Sequence, residues 1–283
     1  MSEELNSKRI SLFPALPAIV NQVLESLSSR SVNDYEIIGI IESEPGMSTA
    51  LLGMINHALF GKITLNSLSE LIDMLGLPRL RFAVLAYGFS RFCNENYANF
   101  GHTSGLSAKI TWEHAISVAY FGVEIAKIVK YPRLEEVLLA GLIHDVGRQV
   151  IMINRPEEYS ELLGSVYGIV VDIVAQERTK IGLSHDQVGA MLVGHWQLPE
   201  SIASVIEYHH NCEAAEDHQI LVHIITLANQ LAVSQGTSFE LCDKVDKDSN
   251  VSVHLLELSG DDIDELVKNF HQNAIAFRKA FNF

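Results

Sequence analysis

Apolar residues return every three or four positions along nearly the whole of this 283-residue chain, and runs alternating apolar with polar residues are scarce. That period belongs to a helix and not to a strand, so the pattern points to an all-α fold. Val20, Val23, Leu24 and Leu27 follow Pro17, a residue suited to a helix start. Asn33 stands before Asp34 and the group Ile37, Ile38, Ile40 and Ile41, which predicts an N-cap. Pro45-Gly46 punctuates; Ser48 opens a stretch through Leu51, Leu52 and Ile55 to Ala58, and Gly61 stops it. Leu68 to Leu75 predicts a short helix closed by Gly76, and Pro78 starts the next, through Leu80, Val84 and Leu85.

Residues 93–105 are polar and rich in Asn and Gly, which predicts a joint between two helical blocks, the second running to about Ser234. Residues 235–250 carry Asp243, Asp246 and Asp248 with little that is apolar, and are expected to form a loop. Ser259 then caps a last amphipathic helix whose acidic first turn suits the helix dipole.

Composition narrows the function. The net charge of −15 repels a polyanion, and no Lys/Arg cluster offers a local exception, so nucleic acid is not an expected partner. No stretch approaches the roughly 18 consecutive apolar residues of a membrane span, and residues 1–9 lack the apolar core of a signal peptide. Cys93, Cys212 and Cys242 lie far apart without a paired spacing, as expected in a reducing compartment, so a cytoplasmic location is expected.

The chemistry is concentrated in the histidines. His57, His102, His218, His223, His254 and His271 lack acidic or histidine neighbours at ligand spacing, and His195 falls late in a helix that Trp196 and Pro199 help to end. Five others stand apart. His114 lies on the stripe of Ile110, Val118, Phe121 and Ile125, and His144-Asp145 ends the apolar run from Val137 to Ile143. His185 follows Ser184 at a helix start, His209 and His210 continue the stripe of Ile202, Val205 and Ile206, and Asn229 sits within an apolar helix. Each is expected to point inward from a different helix. Burying such groups without partners costs about 1–3 kcal/mol apiece, so they must satisfy one another, water or a metal ion. Imidazole and carboxylate are ligands that borderline divalent metals prefer, and helical bundles build such sites from facing helices.

At these residues the chain resembles the HD superfamily, named for the pair seen here as His144-Asp145. The order His114, His144-Asp145, His185, His209-His210 is also similar to the binuclear arrangement of the HD-GYP branch, which hydrolyses cyclic di-GMP. The resemblance implies one metal on His114, His144 and Asp145, and a second, bridged by Asp145, on His185 and His209 with His210. It places Arg148 where catalytic relatives have a phosphate-binding Lys, and Asn229 where they have an Asp ligand. The implied cofactors are one or two divalent transition metals (iron, manganese, zinc or nickel). Residues 211–215, Asn-Cys-Glu-Ala-Ala, contain none of the Gly-Tyr-Pro loop.

The first half carries further likeness. Leu16-Pro17-Ala18, Glu44-Pro45, the run from Asn56 to Gly61, the run from Leu75 to Arg81 and Trp196-Gln197-Leu198-Pro199 resemble the HDOD family, the HD-related output domain. That resemblance implies an HD-domain-like helical bundle: an N-terminal helical subdomain over 1–100, an HD-like core over 101–234, and a loop with a C-terminal helix over 235–283. It implies a bacterial signalling module with a degenerate site, acting by binding a protein partner or small ligand. The alternative is a metal-dependent phosphohydrolase acting on a nucleotide or cyclic dinucleotide.

Overall fold

Helix α1 (Ala18–Leu27) begins where Pro17 predicts, the Pro17 carbonyl accepting from the amides of Val20 and Asn21. The structure is a computed structural model that describes residues 10, 12–27, 33–60, 64–97, 102–241 and 245–281. Helix α2 (Asp34–Ser43) is capped by Asn33, whose side chain accepts from the Glu36 amide at 3.1 Å. Helix α3 (Met47–Ile55) starts one residue before Ser48, because Gly46 takes the left-handed φ of 83° that the turn after Pro45 requires. It runs into a π-helical turn over Asn56–Phe60, and the expected stop at Gly61 lies outside the described residues. Helix α4 (Leu68–Leu75) ends on Gly76 at φ 74°, as its sequence predicts.

Helices α5 (Leu77–Tyr97) and α6 (His102–Ile128) both reach into the segment expected to be a joint, and residues 98–101 between them lie outside the described residues. Tertiary contacts override the local polar composition there. Cys93 is buried, and the Asn94 amide donates to the Phe281 carbonyl at 2.9 Å.

After α6 come α7 (Leu134–Ile143), α8 (Val146–Asn154), α9 (Pro156–Val166), α10 (Ile173–Lys180), α11 (His185–His195), α12 (Glu200–Tyr208) and α13 (Gln219–Ser234). A short α14 (Val251–Leu255) and the last helix, α15 (Gly260–Lys279), complete the chain. Ser259 caps α15 with a capping box to Asp262, as expected. No strand forms among the described residues; an isolated bridge pairs Val170 with Leu241. The fold is all-α.

Close packing places the chemistry-bearing helices. A Cβ on Gly141 of α7 would fall 2.5 Å from Ala119 Cα of α6, so glycine lets the helices carrying His144 and His114 meet at backbone distance. Buried side chains from both halves and from α15 form one continuous core. Phe270 of α15 stacks on Phe121 of α6 at 4.6 Å between ring centroids, and Phe277 meets Tyr120 edge-on at 5.3 Å.

Candidate metal centre

Asp145 is the hub. It stands at the break between α7 and α8, where His144 ends one helix and Asp145 precedes the next, and the bend aims both side chains into the core. His185 Nε2 lies 3.0 Å and His209 Nε2 3.4 Å from Asp145 Oδ1. His144 Nε2 and His114 Nε2 lie 3.5 Å and 3.8 Å from Oδ2. The two groups of possible ligand atoms therefore share Asp145: His185, His209 and His210 on one side, His114 and His144 on the other.

The far nitrogens settle the tautomers. Nδ1 of His144 donates to the Gly141 carbonyl at 2.8 Å, and Nδ1 of His209 to the carbonyls of Val205 and Ile206, each at 3.1 Å. The Thr237 hydroxyl donates to the Ala232 carbonyl, so at 3.4 Å it can only accept from Nδ1 of His114. His185 Nδ1 donates to Glu177 Oε2 at 2.7 Å. Four imidazoles thus spend their Nδ1 protons away from the centre and aim Nε2 at the Asp145 carboxylate. Neutral Nε2 and carboxylate oxygens are all acceptors. With His185 Nε2 unprotonated, His114 Nε2, His144 Nε2, both Asp145 oxygens and Asn229 Oδ1 are buried without a directed hydrogen bond. A cation in their midst is the species that this donor set fits.

In the metal-free protein a proton takes part of that role. Burial lowers the His185 pKa, but the carboxylates of Glu177 and Asp145 outweigh it and raise the pKa to about 10. The imidazolium can then donate to both carboxylates at once. One proton cannot serve every neighbour, since His210 Nε2 lies 3.0 Å and His209 Nε2 3.3 Å from the same nitrogen. Burial pushes His114 down and His144 well below the ordinary imidazole value, so both stay neutral. Burial raises the Asp145 carboxyl, but the guanidinium of Arg148 and the imidazoles of His144 and His185 hold it well below the usual range.

Residues with less obvious roles complete the centre. Glu177 is fully buried, binds the His185 amide as well as its ring, and accepts a hydrogen bond from the Tyr159 hydroxyl. The sequence reading did not single it out; the signal that could have done so is its place on the inward face of α10 with Ile173 and Val174. Arg148 is buried too, with Nε 2.8 Å from Asp145 Oδ2 and a terminal nitrogen 2.8 Å from Glu240 Oε1. The Asp145 contact is off-axis, an ion contact rather than a directed hydrogen bond. Glu240 and Thr237 come from the segment read only as a loop, which carries no local signal for either role.

Of the residues singled out in the sequence, His114, His144, Asp145, His185, His209 and Asn229 are buried within this region. His210 departs from expectation in part: α12 ends at Tyr208, so His210 lies beyond the helix and is exposed as a residue, while its Nε2 stays beside His185. Arg148 faces two carboxylates rather than open space for a phosphate. His223 is a packed residue bonded to Ser252, and His195 ends α11 against Phe13, both outside the centre.

A cavity of about 790 Å³ opens on the His210 side, with Asn229 and Glu240 in its wall. Its other charged residues are Asp172, Asp186, Glu207 and Arg178, and Arg178 is already paired with Asp186 at 3.3 Å. The wall is acidic, which opposes a phosphate ligand.

Comparison with known proteins gives a consistent picture. The sequence profile of the HDOD domain matches residues 13–212. An uncharacterized protein of Treponema pallidum (strain Nichols) is 26% identical over 227 residues, 78% of this chain and 42% of that protein. The chain thus spans about two fifths of the length of this curated relative. An HDOD domain protein of unknown function from Geobacter sulfurreducens superposes with a TM-score of 0.74 at 23% identity, covering 99% of this chain and 96% of that one. A candidate metal-dependent phosphohydrolase of Shewanella amazonensis SB2B gives 0.72 at 14% identity, over 98% and 96% of the two chains. A candidate signal transduction protein of Marinobacter aquaeolei VT8 gives 0.66 at 16% identity, over all of this chain and 66% of that one. At these identities the structural likeness speaks to the fold.

Proposed function

The chain belongs to the HDOD family, and from that premise we propose that it is a signal-transduction module whose buried His/Asp centre holds a divalent transition metal for regulatory rather than hydrolytic use. The observation that carries this reading is the convergence of four Nε2 acceptors on the Asp145 carboxylate, with no protein donor placed to hydrogen-bond either oxygen once His185 is neutral. Asp145, His185 and His209, with His210 at the rim, are the residues that would hold the ion; Glu177 would fix the His185 ring, as carboxylates do behind metal-bound imidazoles. Iron, manganese, zinc and nickel all suit this donor set.

A divalent metal in such a centre supplies Lewis acidity and lowers the pKa of bound water. Three features weigh against using that chemistry on a phosphodiester. Asn229 brings a neutral carbonyl where a carboxylate would add charge. Arg148 is held by Glu240 and Asp145 and is not free to grip a phosphate. The adjoining cavity is walled by acidic residues. Its output is then the binding of a signalling partner or small ligand.

The cavity's size favours a second reading, a phosphohydrolase, since about 790 Å³ suffices for a nucleotide. The two separate in one assay. Protein loaded with manganese or iron is incubated with cyclic and linear dinucleotides, and the account expects no turnover above a His144→Ala control. Turnover that vanishes in His144→Ala and Asp145→Asn establishes the hydrolase instead.

A further inference from the structure

We propose that Arg148 is a built-in cation on the Oδ2 half of the centre, so that each chain holds a single divalent ion on the Oδ1 half, and that Glu240 keeps Arg148 in place. The proposal rests on the metal-binding reading above and adds what that reading leaves open, the stoichiometry and the element that sets it.

The two halves are not equivalent. The Oδ1 side of Asp145 faces His185 at 3.0 Å and His209 at 3.4 Å, with His210 Nε2 3.0 Å from His185 Nε2. On the Oδ2 side His144 and His114 stand further off, at 3.5 Å and 3.8 Å, while Arg148 Nε comes to 2.8 Å. The oxygen that a second ion must share is already in contact with a positive charge. A guanidinium cannot lose that charge at any ordinary pH, so it does not yield as a protonated imidazole would.

Charge balance agrees. With the histidines neutral, as ligands must be, Asp145, Glu177 and Glu240 bring three negative charges and Arg148 one positive, a balance of −2. One divalent ion neutralises that balance. A second would leave a buried excess of two positive charges, which a low-dielectric interior penalises heavily.

Glu240 is what holds Arg148 at this post. Both of its oxygens reach the guanidinium, at 2.8 Å and 3.4 Å. Its own segment is tied down by the Phe239 carbonyl accepting from the Gly168 amide at 2.8 Å and by the Leu241 amide donating to Ile169 at 2.9 Å. The same segment supplies Thr237 to His114. The strap after α13 thus governs the Oδ2 half through two contacts.

The test is a count of manganese or zinc ions per chain after equilibration with excess metal alone and removal of the unbound ion. The wild type is expected to hold one, and His114→Ala to keep that one, because His114 belongs to the half that Arg148 closes. Arg148→Gln is expected to rise to two. Two ions on the wild type, loss of the ion in His114→Ala, or a folded Arg148→Gln that stays at one would each overturn the proposal. If Arg148→Gln fails to fold, the wild-type and His114→Ala counts still decide. A wild type that holds no ion at all instead overturns the metal-binding reading itself, and this proposal with it.

Discussion

Glu240 and His185 show how single residues set the pH behaviour of this centre. The guanidinium of Arg148 offsets the burial of Glu240 and lowers its carboxyl from 4.5 to about 2. A carboxylate whose folded pKa is depressed contributes stability above its unfolded value, and loses it as pH falls through the folded one. Glu240→Gln, which strands a buried Arg148 contact, is therefore expected to cost about 3–5 kcal/mol at neutral pH. Denaturant titrations should show that gap closing as pH drops from 4.5 towards 2. A gap independent of pH would show that Glu240 acts through packing rather than charge. His185 has the opposite sign. Its folded pKa is raised to about 10, so the stability it lends the metal-free protein is complete below 6.5 and fades between 6.5 and 10. Metal must displace the Nε2 proton, so apparent affinity is expected to climb about tenfold per pH unit over that window. A flat affinity profile by calorimetry would mean that His185 is not a ligand.

Helices were the legible part of the sequence, and their meeting points were not. Asn33 and Ser259 cap as their side chains predict, and Gly76 stops α4. The apolar stripe around His114, the apolar run that ends at His144 and the apolar helix around Asn229 are equally readable, and all three residues are buried. The exposure of His210 was not legible, because a period says nothing of where a helix ends, although its Nε2 stays within the group of possible ligand atoms. Glu240 and Thr237 could not be found at all, since their roles depend on a loop folding back across the chain. One meeting point makes a sharp test. Gly147 lets α8 approach α11 so closely that a Cβ there would fall 1.9 Å from the His185 carbonyl and 2.8 Å from the Gly189 amide. Both obstacles are backbone, which cannot rotate away. Gly147→Ala is expected to cost at least about 1–3 kcal/mol, the cost of overpacking, and to displace Asp145 from His185. Unfolding at the wild-type midpoint with undiminished metal affinity would contradict that picture.

At the scale of the whole molecule, the centre depends on elements far apart in the chain. The C-terminal helix α15 packs Phe270 and Phe277 on Tyr120 and Phe121 of α6, the helix that carries His114, and the strap before it supplies Glu240. Each such buried aromatic is worth about 3–5 kcal/mol when truncated. A chain ending at residue 234 is expected to lose its cooperative melting transition, and a sharp transition at the full-length temperature would show that α15 is dispensable. The central claim, that the His/Asp centre holds a metal ion, is tested most directly by anomalous X-ray scattering from crystals of protein prepared without a His-tag or chelator. The account predicts a peak roughly 2.0–2.2 Å from His185 Nε2, His209 Nε2 and Asp145 Oδ1, at the absorption edge of a first-row transition metal. A well-ordered centre with no peak, or a peak seated only between His114 and His144, would contradict it.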